Sequence, residues 1–150
     1  MLMLRRAAHE SLPGAWQPVT GSIRRGENAL RAARREVREE TGLEPLEWWR
    51  LESVVSYLDV ASDKLCVVAL FAAEVDPAAK ARLSREHDSV RYVTLARAAA
   101  MVLWDTQRDA LRSLRSQIFG GARLAAALKI DDHAAPRSRG RSIRPPVRRG

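Results

Sequence analysis

An α/β fold is the class this sequence predicts, and three observations carry it. Short apolar runs with strand character appear at the start, MLMLRR, and again in the middle, LCVVALF. Between them, Asn28 to Thr41 keeps an unbroken helical periodicity. Past Val93 the apolar spacing turns helical once more, with Ala110, Leu111, Leu114 and Ile118 on one stripe. The 150 residues suit one domain with a core of its own. Aromatic residues make up only 5% of them, so Ala, Leu and Val must do most of the packing. The domain is expected over residues 1–130, followed by a basic tail over 131–150.

Taken in order, Met1 to Arg6 reads as a strand and Ala7 to Gly14, with its Pro13-Gly14 pair, as a loop. Trp16 to Gly21 reads as a second strand running into a tight loop bracketed by Gly21 and Gly26. Glu27 then suits the positive end of the helix that follows. Thr41-Gly42 supplies a glycine able to take the left-handed cap conformation. Pro45 to Tyr57 and Asp63 to Val75 read as strands joined by a turn over Asp59 to Asp63. Trp48 and Trp49 would point to opposite faces, one into the core and one partly exposed. Asp76-Pro77 breaks the pattern, and Ala78 to Ser84 is a short helical turn or loop. Val90 to Val93 is a brief strand; Leu95 to Trp104 and Thr106 to Ile118 are helical. Asp105 or Thr106 is expected to cap the second of these, with Trp104 packed in the core in preference to walling a pocket. Gly120-Gly121 ends it, and beyond Ile130 the Pro, Ser, Gly and Arg content predicts disorder.

The helix Asn28 to Thr41 carries the chemistry. At about 100° per residue, Glu36, Glu39 and Glu40 fall at i, i+3 and i+4 in one narrow sector. Leu30, Ala33 and Val37 form an adjacent apolar stripe able to dock on a sheet. Arg31, Arg34, Arg35 and Arg38 cover the rest, with Arg35 bordering Glu39 at i, i+4. Like charges so close repel and raise one another's pKa, and a divalent cation turns that repulsion into attraction. Hard oxygen ligands in this number suit Mg2+, with Mn2+ as substitute.

Gly21, Glu27, Arg35, Glu36, Glu39, Glu40 and Gly42 fill every fixed position of the pattern G-x5-E-x7-R-E-U-x-E-E-x-G-U, and Val37 and Leu43 fill its aliphatic ones. The stretch Gly21 to Leu43 thereby resembles the signature of the Nudix hydrolases. Chance would produce such a match at roughly 10⁻⁹ per starting position from average residue usage. The resemblance implies an α/β/α sandwich around a mixed β-sheet and Mg2+-dependent hydrolysis of a nucleoside diphosphate linked to another group. In that family a segment like MLMLRR is preceded by another strand, so the expectation is either a start placed too far downstream or a sheet that lacks its first edge strand. By the motif, Glu36, Glu39 and Glu40 would hold cations and the Gly21 carbonyl would add a ligand. Arg35 would orient Glu36, Glu27 would brace the loop–helix junction, and Gly42 would close the helix.

Two flanking elements resemble the branch containing bacterial dATP and dihydroneopterin triphosphate pyrophosphohydrolases. The first is the approach Trp16-Gln17-Pro18-Val19-Thr20-Gly21, in which Trp16 reads equally as a sheet-packing aromatic or a base-stacking pocket wall. The second is Glu86-His87 ahead of Arg91-Tyr92-Val93. By resemblance Glu86 would be a further metal ligand or the general base, against an ordinary loop carboxylate. His87 is a substrate contact or a structural histidine. Arg24 and Arg25, in the loop above the helix start, would meet phosphates or simply be solvated.

Composition bounds the rest. The net charge of +8 favours anionic partners, and residues 131–150 supply half of it, six arginines against two aspartates. The single cysteine, Cys66, excludes an internal disulfide, fits a reducing compartment and reads as inert core. No signal peptide or membrane-length apolar run is present, so a cytoplasmic protein with no membrane contact is expected. Three functions compete: a nucleoside or pterin triphosphate pyrophosphohydrolase, a hydrolase of dinucleoside polyphosphates or capped RNA, and a non-catalytic nucleotide-binding regulator. The intact carboxylates argue against the last. The basic tail leaves a weak nucleic-acid contact open.

Overall fold

Leu2–Arg6 forms β1, and its Met3 and Leu4 are the most deeply buried side chains of the sheet it centres. The structure, a computed structural model, describes residues 1–131. β1 pairs antiparallel on one side with β2 (Trp16–Gln17) and on the other with β5 (His87–Tyr92). Leu4 lies opposite Gln17 and Val90, and the register slips between Arg5 and Arg6. The Met1 ammonium donates to the Val93 carbonyl at 2.7 Å, fixing the chain start beside β5. β5 begins at His87, three residues earlier than the apolar run Val90 to Val93 suggested. The second expected strand is only two residues long, because Pro18 has no N–H to give a ladder.

Two further strands, β3 (Glu47–Asp59) and β4 (Lys64–Glu74), form an antiparallel hairpin of their own. The strands thus divide into two antiparallel sheets rather than one mixed sheet. Both edges of β1 are taken by β2 and β5, so it cannot reach the hairpin; the parallel pairing is an isolated bridge from Trp16 to Val102. Trp48 is buried and Trp49 half-buried, as alternation requires. The run LCVVALF is not interior: the distal hairpin reaches past the helices, Leu65 is 72% and Val67 63% exposed, and Cys66 is only half-buried opposite Tyr57.

The helices are α1 (Ala29–Thr41), α2 (Leu95–Met101), α3 (Asp105–Ile118) and α4 (Ala122–Leu128). α4 was not anticipated, since Gly120-Gly121 reads as a terminator; Gly121 instead starts a new helix that buries Leu128. Ala98 of α2, Val102 just past its end and Leu111 of α3 join Met3 in the core, with Trp16 packed against them. Neither Asp105 nor Thr106 caps α3: the N-cap is Trp104, whose backbone N–H meets the Gln107 carboxamide oxygen at 3.5 Å. Its indole is 53% exposed, a cap position at the surface rather than core. Gln117 ties α3 to β3, accepting from the Glu52 N–H at 2.8 Å and donating to Ser53 Oγ at 2.8 Å. On α1 the stripe Leu30, Ala33 and Val37 is only half-buried, and the deepest positions are Ala32, Glu40 and Thr41. The helix has turned part of its carboxylate face inward. The basic tail lies outside the described residues, apart from Asp131.

Candidate active site

The loop and helix are joined by one acid and one guanidinium. Asn28 caps α1, its side chain accepting the Arg31 N–H at 2.9 Å, and Gly42 ends it at φ +64° with its N–H on the Arg38 carbonyl. Just before the cap, Glu27 accepts the Arg24 N–H at 3.0 Å and both Nε and Nη2 of Arg35, each at 3.0 Å. Arg35 Nη2 also reaches the Ser22 carbonyl at 2.9 Å. This two-pronged bond fastens the loop to the second turn of the helix. Arg35, then the Arg24 N–H, hold Glu27 below the usual carboxylate range; Glu27 and Glu36 in turn raise Arg35.

The three helix carboxylates have different surroundings. Glu36 accepts from Arg35 Nη1 at 2.6 Å and lies so close to Gly21 that a Cβ there would fall 2.1 Å from its carboxyl carbon. Only glycine permits that approach. Glu39 is drawn outward by Arg24, at 3.2 and 3.0 Å, and by Arg35 at 3.1 Å. Partial burial would raise it, but those two arginines outweigh that and leave it lowered.

Glu40 is 3% exposed and has one oxygen, Oε2, with no hydrogen-bond partner. Burial first, then the charges of Glu36 and Glu86, push it up to about 8, against a backbone bond from Thr20. His87 Nδ1, also unbonded, lies 3.8 Å from that Oε2, while Gln17 Nε2 sits 3.5 Å from His87 Nε2. Burial lowers the imidazole's pKa. When Gln17 Nε2 donates to Nε2 of the neutral ring, the ring proton belongs on Nδ1, the nitrogen that faces Glu40.

The end of α1 brings Glu86 into this group. The Arg82 N–H donates to the Thr41 carbonyl at 2.7 Å and the Ser84 N–H to the Glu40 carbonyl at 3.1 Å. That pairing docks the 82–86 loop on the helix C-terminus, and the Ala7 N–H holds the Glu86 carbonyl at 2.9 Å. Glu86 itself is exposed and close enough to add to the charge felt by Glu40. Arg24 and Arg25 are exposed above the helix start, Arg24 bound to Glu39. Trp16 is half-buried beneath Arg91 and Arg5, 4.9 and 5.9 Å from its ring centroid. The side chain of His87 is wholly buried and presents no surface to a ligand.

Among the described residues, no three His, Cys, Asp or Glu side chains converge as a ready cation cage. The narrow sector expected of Glu36, Glu39 and Glu40 is pulled apart by arginines on one side and burial on the other. Even so, the donor set fits a hard cation: all oxygen, Glu36 against Gly21, and a buried Glu40 oxygen with no partner. Gln17, Thr20 and the 82–84 loop escaped sequence reasoning as site residues, because nothing in their identity marks them. Only their tertiary bonds do.

A helix lined with carboxylates and fastened to a glycine loop, beside an α/β core, is an arrangement whose oxygen donors suit hard cations and phosphate chemistry. The NUDIX domain model matches residues 1–114. The chain belongs to the Nudix family and is a hydrolase acting on phosphoric anhydrides. It is 35% identical over 99 residues to the asymmetrical bis(5′-nucleosyl)-tetraphosphatase of Mus musculus, covering 65% of this chain and 67% of that one. Its fold is similar to that of a C. elegans Ap4A hydrolase, at a TM-score of 0.67, 24% identity, and coverage of 80% and 86%. The E. coli dihydroneopterin triphosphate pyrophosphohydrolase is similar at a TM-score of 0.64, 23% identity and the same coverage, 80% and 86%.

Proposed function

We propose that this chain hydrolyses dinucleoside polyphosphates, cutting a four-phosphate bridge unequally into a nucleoside triphosphate and a monophosphate. The observation that carries this reading is the 35% identity over 99 residues to the asymmetrical tetraphosphatase, a match that takes in 67% of that protein. A second reading, release of pyrophosphate from a nucleoside or pterin triphosphate, rests on Trp16 to Gly21 and on Glu86-His87.

Glu36, Glu40 and the Gly21 carbonyl would hold the cation, joined by Glu39 once Arg24 and Arg35 release it. Magnesium, or manganese in its place, supplies neutralisation of phosphate charge and an acidified water. Arg35, bonded to Glu36 at 2.6 Å, positions that carboxylate. Glu86 approaches from a separate loop and takes the proton of the attacking water. The water oxygen bonds to phosphorus, the bridging P–O bond breaks, and its electron pair leaves with the departing phosphate. Arg24, once free of Glu39, and Arg25 are placed to bind phosphate oxygens. Trp16, its ring already under two arginines, serves as packing in this reading.

The test is a product assay with magnesium, comparing a bis(5′-nucleosyl) tetraphosphate with nucleoside and pterin triphosphates. Unequal mono- and triphosphate products support the first reading. Preferential pyrophosphate release moves the assignment to the second, and activity surviving exhaustive chelation overturns both.

A further inference from the structure

The two outer edges of the β3–β4 hairpin are treated differently. The proximal edge of β3 is covered: the Ile130 N–H donates to the Trp48 carbonyl at 2.8 Å, Trp49 bridges Lys129, and Gln117 takes the Glu52 N–H. Among the described residues β4 has no such cover: its ladder runs to β3 alone, so one row of its N–H and C=O groups faces outward. Folded proteins blunt such an edge with charges, proline or a bulge. From Leu65 to Ala73, β4 has none: nine residues, LCVVALFAA, carry neither charge nor proline, and the extra residues of the bulge belong to β3. Leu65 and Val67 stand exposed on this strand, with Val54 and Leu58 exposed beside them.

We infer that β4 pairs antiparallel with β4 of a second copy of this chain, about a two-fold axis at Ala69. Charge complementarity selects both occupant and register. The strand begins with Lys64 and ends with Glu74, equidistant from Ala69 and, by parity, on one face of the sheet. Centred there, Lys64 of each copy meets Glu74 of the other, and this is the register that closes both charge pairs at once. Val67 falls opposite Phe71 and Leu65 opposite Ala73, so the two exposed side chains gain apolar cross-strand neighbours. Two hairpins become one four-stranded sheet. The contact is isologous and uses the free edge of each copy, so it closes at a dimer instead of growing.

The full chain should sediment at twice its mass as concentration rises. Lys64→Glu or Glu74→Lys should each weaken dimerisation about tenfold, two cross-strand pairs having turned from attraction to repulsion. The exchanged pair Lys64→Glu/Glu74→Lys should restore it, which a mere folding defect would not allow. In a Cys66→Ser background, Ala69→Cys should cross-link on oxidation, since residues directly opposite lie within disulfide reach. Ala72→Cys should not, because its two copies lie six positions apart in that register. Hydrogen exchange at the outward β4 amides should slow with the same concentration dependence. A chain that stays monomeric overturns the proposal, and β4 amides protected in that monomer would mean another segment of the chain covers the edge. A dimer indifferent to the charge exchange, with no Ala69→Cys cross-link, overturns it as well.

Discussion

At the scale of single residues the site is a contest for oxygen atoms. Gly21 leaves room for Glu36, and a methyl there would push that flexible side chain aside from its Cγ outward. Gly21→Ala should therefore unfold at nearly the wild-type temperature yet lose about 10²-fold or more in kcat, because misplacement by 1 Å is enough to do so. Calorimetry and steady-state rates check both halves. His87 can act only through Glu40. Replacing it with Leu should weaken Mn2+ binding about 10- to 100-fold, the usual cost of losing a partner behind a ligand. His87→Asn, which restores a donor near the Nδ1 position, should recover part of that in a calorimetric titration; equal losses in both variants would refute the positioning role. Glu86→Gln should cut kcat about 10²- to 10⁴-fold with little change in KM if Glu86 is the base. Recovery of the rate with added magnesium would instead mark it as a ligand. No effect at all would pass the base role to Glu36.

Among the elements, the loop–helix junction has a dependence of its own on pH. Arg35 and the Arg24 N–H lower the Glu27 pKa from 4.5, so the folded state holds the charged form more tightly than the unfolded chain. The stability from this carboxylate is complete above the unfolded value and drains away as pH falls through the lower folded one. Urea unfolding between neutral pH and pH 3 should show wild type losing stability in that window. Glu27→Gln should be less stable at neutral pH and flatter below it; identical slopes would mean the junction is held by something else. The same pair shows how legible the element was. Glu27, Arg35, the αL glycine at 42 and the helix between them all stand where the spacing placed them, because a cap, a helix and a bond between residues eight positions apart are local. The hairpin was legible as two strands but not as exposed strands, since an apolar run looks alike whether helices cover it or not. α4 was missed because Gly120-Gly121 reads the same whether a chain ends a helix there or starts another.

For the whole molecule, charge sets the outlook. No helix among the described residues is long and apolar enough to cross a membrane. Arg137, Arg139, Arg141, Arg144, Arg148 and Arg149 concentrate positive charge in the sequence after residue 131. A chain ending at 130 should keep its small-substrate kcat. It should bind single-stranded nucleic acid more weakly, with a salt dependence shallower by up to about 4 in log–log slope, from roughly 0.7 per cation lost. An unchanged slope in fluorescence titrations over a salt series would place any such contact on the domain instead.

The family, the helix, its C-terminal glycine cap and the identity of the carboxylates were determined by the sequence alone, because each rests on residues within a few positions of one another. Tertiary structure alone decided what each carboxylate faces. Glu36, Glu39 and Glu40 share one helical sector, yet one is bonded to a loop-held arginine, one is pulled into solvent and one is buried against a histidine 47 positions away. Helical spacing sets the angle between side chains; it carries no information about which loops fold back over them. Those loops reach the helix through backbone bonds from Thr20, Arg82 and Ser84, groups that every residue but proline possesses and that no pattern of side chains can announce.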